Sequence, residues 1–196
     1  MTRTVTHLFD DYAQAQRAVT ALEQAGFSSS EVSLVSRYRR DGSLADDAVD
    51  DSSGAATGAT LGGLAGAGTG LLAALGMIAI PGIGPLVAAG VLATTLAGAA
   101  AGTLTGGLIG ALVDYGVSED DAHLYSEGVR RGSSLVSVRT DDARAAKAEQ
   151  ILHQQRPVDI AARRQYYTKS GWSKYDPQAP GYTAEQIRKE REMYGR

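Results

Sequence analysis

Residues 52–113 read SSGAATGATLGGLAGAGTGLLAALGMIAIPGIGPLVAAGVLATTLAGAAAGTLTGGLIGALV and contain no Asp, Glu, Lys, Arg or His. Glycine recurs at every fourth position in two runs of this stretch, with Thr94 in the one gap, and PGIGP at 81–85 separates the two runs. A step of four residues places successive glycines near one stripe of an α-helix. A glycine costs a helix about 1 kcal/mol relative to Ala, so the pattern favours helices that pack closely through that bare stripe. The predicted helix-packing interface consists of Gly58, Gly62, Gly66, Gly70, Gly90, Gly98, Gly102, Gly106 and Gly110.

The PGIGP segment predicts how the two glycine runs meet. Proline and glycine end helices, so we predict one helix over 58–80 and a second over 86–113. These two helices are expected to fold back on each other as an antiparallel glycine-zipper hairpin within residues 54–115.

The sequence on both sides of the hairpin predicts a small α+β domain. Short alternating runs rich in β-branched residues predict strands, and apolar residues at helical spacing behind Asp or Ser caps predict helices. Without the hairpin and the helix that follows it, the order is β-α-β then β-α-β, as in a ferredoxin-like domain. The predicted strands are at 4–9, 32–38, 134–139 and 157–160, and the predicted helices are at 12–25, 118–132 and 141–154.

The predicted fold class is therefore α+β: a ferredoxin-like βαβ…βαβ domain with an inserted antiparallel α-helical glycine-zipper hairpin and an extended C-terminal tail. The insertion falls between the second and third strands, which brings both of its ends to one edge of the domain. The predicted parts are the first βαβ half at 1–38, an acidic linker at 39–53, the hairpin at 54–115, a helix and the second βαβ half at 116–162, and a basic aromatic tail with a short helix at 163–196.

The C-terminal tail differs in charge from the rest of the chain. Residues 1–160 hold 11 basic and 18 acidic side chains, a net charge of −7. Residues 161–196 hold 8 basic and 4 acidic side chains, a net charge of +4. An acidic body with a basic tail can bind itself, a neighbouring copy or an anionic surface.

The tail is also rich in aromatic residues, among which Trp172, Tyr175 and Tyr182 are candidates for an interaction. Two interpretations stay open: the tail binds a polyanion, or its aromatics pack across the open face of its own sheet. Because Pro177 and Pro180 interrupt it, we expect the tail to cover surface without building the core and to be separable from the folded domain.

Two segments resemble a known family. HLFDDYAQAQRAVTALEQAGF at 7–27, followed by VSLV at 32–35, is similar to the N-terminal module of bacterial general stress proteins of the YflT type, first known as heat-induced proteins. GVSEDDAHLYSEGVRRGSSLVSV at 116–138 resembles the segment that follows the glycine-rich insertion in relatives of that family. The resemblance implies a stress-linked bacterial protein without established catalytic residues.

The sequence shows no recognisable catalytic or ligand-binding motif. The histidines His7, His123 and His153 lie far apart and show no metal-ligand spacing, and there is no Cys. The glycine-rich segment at 62–68 lacks the Gly-Lys-Ser/Thr of a phosphate-binding loop. We therefore predict no enzyme activity, no cofactor, no metal and no small-molecule substrate. Nucleic acid is not expected either, because the strand at 134–138 lacks stacking aromatics and the body of the chain is acidic.

The function predicted from the sequence is that of a stress-response protein that associates with membrane, and two alternatives stay open. In the predicted function, the hairpin binds membrane lipid, since a helix over 58–80 would be about 35 Å long and a hydrocarbon core is ~30 Å thick, although the flanks at 50–51 and Asp114 are acidic. In the first alternative, the protein is a soluble homo-oligomer whose hairpins bury one another, because so large an apolar surface is not tolerated on a monomer. The second alternative is an ACT-like small-ligand sensor, suggested by topology alone.

The predicted location is the cytoplasm or the cytoplasmic face of the inner membrane. The first residues contain no apolar run of signal-peptide length, so export by a cleaved signal peptide is not expected. The absence of Cys is compatible with a reducing compartment.

Overall fold

A computed structural model of the chain describes residues 2–38, 44, 76–80, 83–101 and 107–194. The first glycine run and Gly102 and Gly106 therefore lie outside the described residues, as does the predicted linker apart from Leu44. The described elements are, in chain order, β1 Thr2–Phe9, α1 Tyr12–Gln24, β2 Val32–Ser36, β3 Gly76–Ile80, β4 Gly84–Ala89, α2 Val91–Ala101, α3 Gly107–Asp114, α4 Glu119–Arg130, β5 Ser134–Asp141, α5 Asp142–Gln154, α6 Ile160–Lys169 and α7 Ala184–Tyr194.

The strands form one sheet in the order β1-β5-β2-β4-β3, and all neighbouring pairs are antiparallel. The longest pair joins β1 to β5 along their full lengths, from Thr2 opposite Asp141 to Phe9 opposite Ser134. The mixed α+β class predicted from the sequence is confirmed. In the described part of the chain, no helix is long and apolar enough to span a bilayer.

Helices cover both faces of this sheet. Helices α1 and α5 cover one face, and α2, α3 and α4 cover the other. Every residue of β2 is buried for this reason. The first face buries Val5, Phe9, Val19, Leu22, Val32, Leu34, Val136, Val138, Ala148 and Leu152. The second face buries Leu8, Val35, Ile83, Leu86, Leu92, Leu96, Leu108, Leu112, Ala122, Val129 and Leu135.

The prediction of a wholly helical hairpin is wrong over the described residues of 76–89. Two strands, β3 and β4, replace the expected helix ends, and β4 pairs with β2. The physical reason is the short spacing of helix breakers: GMIAI and GPLVAA are runs of five or six residues bounded by glycine and proline, a length typical of strands. As strands, β4 pairs with the edge of β2, whose N–H and C=O groups would otherwise lack partners in the sheet, and β3 pairs with β4. Helix is present over 91–101 and 107–114.

The predicted strand at 157–160 is also wrong. A single backbone bond, from Val158 N to Leu8 O at 2.8 Å, attaches this segment to β1. Pro157 has no N–H to donate, and the Asp159 side chain accepts from Ala162 N at 3.0 Å, which starts α6 at Ile160.

Gly90 does not occupy the helix-packing position predicted for it. It lies in the turn between β4 and α2 with a positive φ of 83°, and a Cβ there would collide with the Val32 carbonyl oxygen. The next residue but one, Leu92, donates its N–H to the Ser33 side chain at 3.2 Å, so α2 begins directly on β2. Gly98 and Gly110 lie within α2 and α3, and a Cβ added to Gly110 would meet no atom of the described residues within 4 Å.

We predict opposite effects for two glycine substitutions. Gly90→Ala should lower the free energy of unfolding by about 2–5 kcal/mol, because the added Cβ overpacks against β2 and because alanine is strained in a left-handed backbone conformation. Gly110→Ala should raise it by about 0.5–1 kcal/mol, because alanine favours helix and meets open space. Denaturant unfolding measures both. A loss of stability at Gly110 as large as that at Gly90 would contradict this interpretation and favour a zipper contact at Gly110.

Candidate functional site

The C-terminal tail packs on the domain instead of extending from it. Tyr167 and Ile187 are fully buried, and Tyr175 belongs to the core of the second sheet face. The expectation that the tail covers surface without building the core is therefore wrong. Its aromatics pack within the chain, although helices α1 to α5 rather than the tail cover most of the sheet faces, and the binding of a polyanion stays a prediction. Trp172 meets Tyr167 edge-on with ring centroids 5.7 Å apart.

A buried cluster of charges, centred on Glu127 of α4, holds the tail in place. The Glu127 carboxylate, fully buried, accepts hydrogen bonds from Arg130 and Arg131, each at 2.6 Å. Arg131 also donates to Glu190 of α7 at 2.5 Å. Burial alone would lower the pKa of Arg131, but its hydrogen bonds to Glu127 and Glu190 outweigh this and the pKa lies above its ordinary value. The guanidiniums of Arg130 and Arg131 lie 5.3 and 5.2 Å from the ring centroid of Tyr182.

Two further arginines connect the tail to the sheet. Arg37, which is 1% exposed, donates to the backbone oxygens of Arg130 at 3.0 Å and Tyr182 at 2.6 Å. Arg163 of α6 forms a bidentate pair with Asp10 at the end of β1, with N···O distances of 3.0 and 2.5 Å. Part of the basic charge of the tail is thus paired within the chain, and these contacts connect the tail to the strands and to α4.

A second cluster lies at the outer edge of the sheet, where β1 meets α5. His7 shares one face of β1 with Val5 and Phe9, and this face is the one that α5 covers. Glu149 and His153 are one helical turn apart on α5, so both reach the same spot. The Nε2 atoms of His7 and His153 each lie 3.0 Å from Oε1 of Glu149.

The electrostatics of this cluster favour a neutral His7. Burial lowers the pKa of His7, and the effect of His153 adds to it, so that together they outweigh the opposing influence of Glu149. His7 is 13% exposed, whereas Glu149 and His153 are 44% and 63% exposed. The two imidazole rings meet edge-on with centroids 5.1 Å apart. Among the described residues, this is the one group of three His, Cys or acidic side chains close enough to hold a metal ion together, with all ligand atoms within 4.8 Å of one another.

A cavity of about 280 Å³ adjoins the cluster and is lined in part by His7 and Glu149. Its other walls are the outer part of β1, the turn at 116–118 between α3 and α4, and Asp121 and Tyr125 of α4. Burial, with the charges of Asp121 and Glu149, raises the pKa of Tyr125 to about 12. Tyr125 therefore stays protonated at neutral pH, and its hydroxyl donates to the Thr6 carbonyl oxygen at 3.1 Å.

Nothing in the sequence alone brings these three residues together. His7 and His153 are far apart in the sequence, and only the packing of α5 on β1 makes them neighbours in space. The one local signal is the four-residue spacing of Glu149 and His153 on a helix. The third histidine, His123, lies elsewhere on α4, 3.8 Å from Glu119.

Comparison with known proteins identifies no relative of this chain. No protein-family model, no curated protein and no solved structure matches it. The resemblance to general stress proteins of the YflT type therefore stays a prediction from residues 7–27 and 116–138.

We predict that the charge cluster is essential for stability. Glu127→Ala should lower the free energy of unfolding by about 3–5 kcal/mol, because it leaves Arg130 and Arg131 buried without their shared carboxylate. Glu192→Ala, at an exposed position of α7, is the matched control and should change stability by less than about 0.5 kcal/mol. Denaturant unfolding of both variants measures the difference. Equal stabilities would mean that water replaces the carboxylate and that the tail is held by other contacts.

Proposed function

We propose that the protein is a non-enzymatic bacterial stress-response protein that acts by associating with further copies of itself through the uncharged stretch at 52–113. The observation that carries this proposal is the absence of every ionisable Asp, Glu, Lys, Arg and His side chain from that stretch. A stretch of this length without charge favours burial against apolar groups, either of its own domain or of another copy. The glycines spaced by four residues are the positions where two backbones can approach most closely.

Self-association is favoured over a membrane hairpin by the position of the described residues of 76–89. In the membrane interpretation, the PGIGP segment would be the tip of a helical hairpin within the bilayer. The tip residue Ile83 is instead fully buried against the protein's own sheet, and β4 is bonded to β2. A lone β-hairpin in lipid leaves unpaired backbone groups, each of which costs several kcal/mol. Membrane insertion would thus require this segment to leave the sheet and refold.

Membrane association is kept as a second candidate because one observation favours it. The uncharged stretch, 52–113, is longer than two bilayer-spanning helices of ~20 residues need. A chain that refolds in this region would bury the stretch in lipid without moving any charge across the membrane.

The stress-related part of the proposal rests on the resemblance of residues 7–27 and 116–138 to general stress proteins. It also includes a ferredoxin-like origin of the domain. In support, the first three predicted strands lie in the order β1-β5-β2, and α1 and α5 lie on the same face of the sheet. This order is the one expected of a split β-α-β arrangement, to which the chain between β2 and β5 would add β3, β4, α2, α3 and α4.

The test compares substitutions on and off the glycine stripe. Gly66→Leu and Gly102→Leu each improve helix propensity, so on propensity alone they would be neutral or stabilising. If backbones pack at these glycines, each leucine should weaken association about 5- to 150-fold through overpacking of about 1–3 kcal/mol. Ala67→Leu, one position off the stripe, is the control and should associate like the wild type. Analytical ultracentrifugation of the full chain measures the association constants.

Cell fractionation separates the two candidates. We expect the native protein in the supernatant of a high-speed spin, as an oligomer. If the protein instead stays in the pellet after carbonate extraction, membrane association and not self-association is its function. A monomeric supernatant, or leucine variants that associate as tightly as the Ala67→Leu control, would overturn the proposed role of the glycine stripe.

A further inference from the structure

We propose that His7, Glu149 and His153 form a binding site for one divalent transition-metal ion, with Zn²⁺ the most suitable. Two imidazole nitrogens and one carboxylate oxygen are a ligand set that suits zinc and its neighbours among the transition metals. Mg²⁺ and Ca²⁺ prefer sets made of oxygen alone, so the two histidines select against them. The site is independent of the proposed self-association.

Two of the three distances between ligand atoms in the cluster are already close to those of a metal site. Ligand atoms that each lie about 2.0–2.2 Å from a tetrahedral zinc ion are separated by about 3.3–3.6 Å. Both His Nε2 atoms already lie 3.0 Å from Glu149 Oε1, and the three ligand atoms all lie within 4.8 Å of one another. Glu149 and His153 are partly exposed, so rotation of their side chains admits the ion without a shift of the backbone.

The two elements that carry the ligands, β1 and α5, are both fixed in the domain. His7 lies in the middle of β1, which pairs with β5 along its full length. Glu149 and His153 lie on α5, which is fixed to the sheet through the buried side chains Ala148 and Leu152. Ligands on regular elements keep their geometry better than ligands on loops, so this site is largely organised before an ion arrives.

Three protein ligands leave at least one coordination position for another molecule. The adjoining cavity of about 280 Å³, lined by His7 and Glu149, has room for water in that position. With neutral imidazoles, the protein ligands carry one negative charge, which a divalent ion more than balances. The site then attracts a small anion or a deprotonated water.

The competing explanation is that Glu149 simply accepts hydrogen bonds from two histidines. A hydrogen-bonded trio of this kind would give no metal-dependent signal that His153→Ala or Glu149→Gln removes. The chain offers a matched control, because His123 is a histidine four residues from Glu119 on another helix and outside the cluster.

The experiment is calorimetric titration of the metal-free full-length protein with Zn²⁺, with Co²⁺ absorption as the spectroscopic signature. We expect one ion per chain in the wild type. His153→Ala and Glu149→Gln should each weaken binding by at least about 10-fold, since even the residues that only orient a metal ligand are worth about 10- to 100-fold. Both positions are partly exposed, so neither variant should unfold. His123→Ala should bind like the wild type.

Two results would overturn the proposal. One is a wild-type affinity for Zn²⁺ and Co²⁺ no higher than that of His153→Ala. The other is loss of binding in His123→Ala equal to the loss in His153→Ala, which would show non-specific binding to histidines. The oligomer size of His153→Ala should match the wild type, so a failure here leaves the proposed self-association unaffected and distinguishable.

Discussion

The fold depends on covering the second face of the sheet. The central strands carry apolar side chains on both faces, as Leu34 and Val35 do within β2. Helices α1 and α5 cover only one of these faces. Without α2, α3 and α4, side chains such as Leu8 and Leu135 would meet water, at a cost of about 1.5–3 kcal/mol each. The uncharged stretch that interrupts the domain in sequence therefore supplies, in its described part, α2 and nearly all of α3, and α4 completes this layer of the structure.

The packing of the tail on the domain also depends on how the second face of the sheet is covered. Helix α4 covers the second face and brings Glu127, Arg130 and Arg131 into positions that water barely reaches. Buried charges require partners, and the tail supplies Glu190 as well as the aromatic ring of Tyr182. The basic, aromatic composition that suggested an outward-facing binding segment thus serves, to a large extent, contacts within the chain.

Local signals predicted the regular part of the fold well. The caps Asp11, Ser118 and Asp141 accept hydrogen bonds from the first turns of α1, α4 and α5, which begin within a residue or two of the predicted positions. Local signals did not predict the strands within 76–89. The repeat of glycine at every fourth residue indicated helix more strongly than the short spacing of glycine and proline indicated strand. The stability that β4 gains by pairing with β2 comes from residues distant in sequence. The His7, Glu149 and His153 cluster escapes local signals for a related reason: its members meet only when α5 packs on β1, and no spacing in the sequence records that contact.

Amide hydrogen exchange tests most directly whether the insertion is a layer of the fold. If it is, the amides of β4 opposite residues 34–36 should open with free energies within about 1 kcal/mol of those of the inner strand β5, because both belong to one cooperative unit. The same should hold for the buried part of α2 around Leu92 and Leu96. Near-free exchange of β4 and α2 while β1 and β5 stay protected would contradict this structure of the second face and restore the insertion as a separate hairpin.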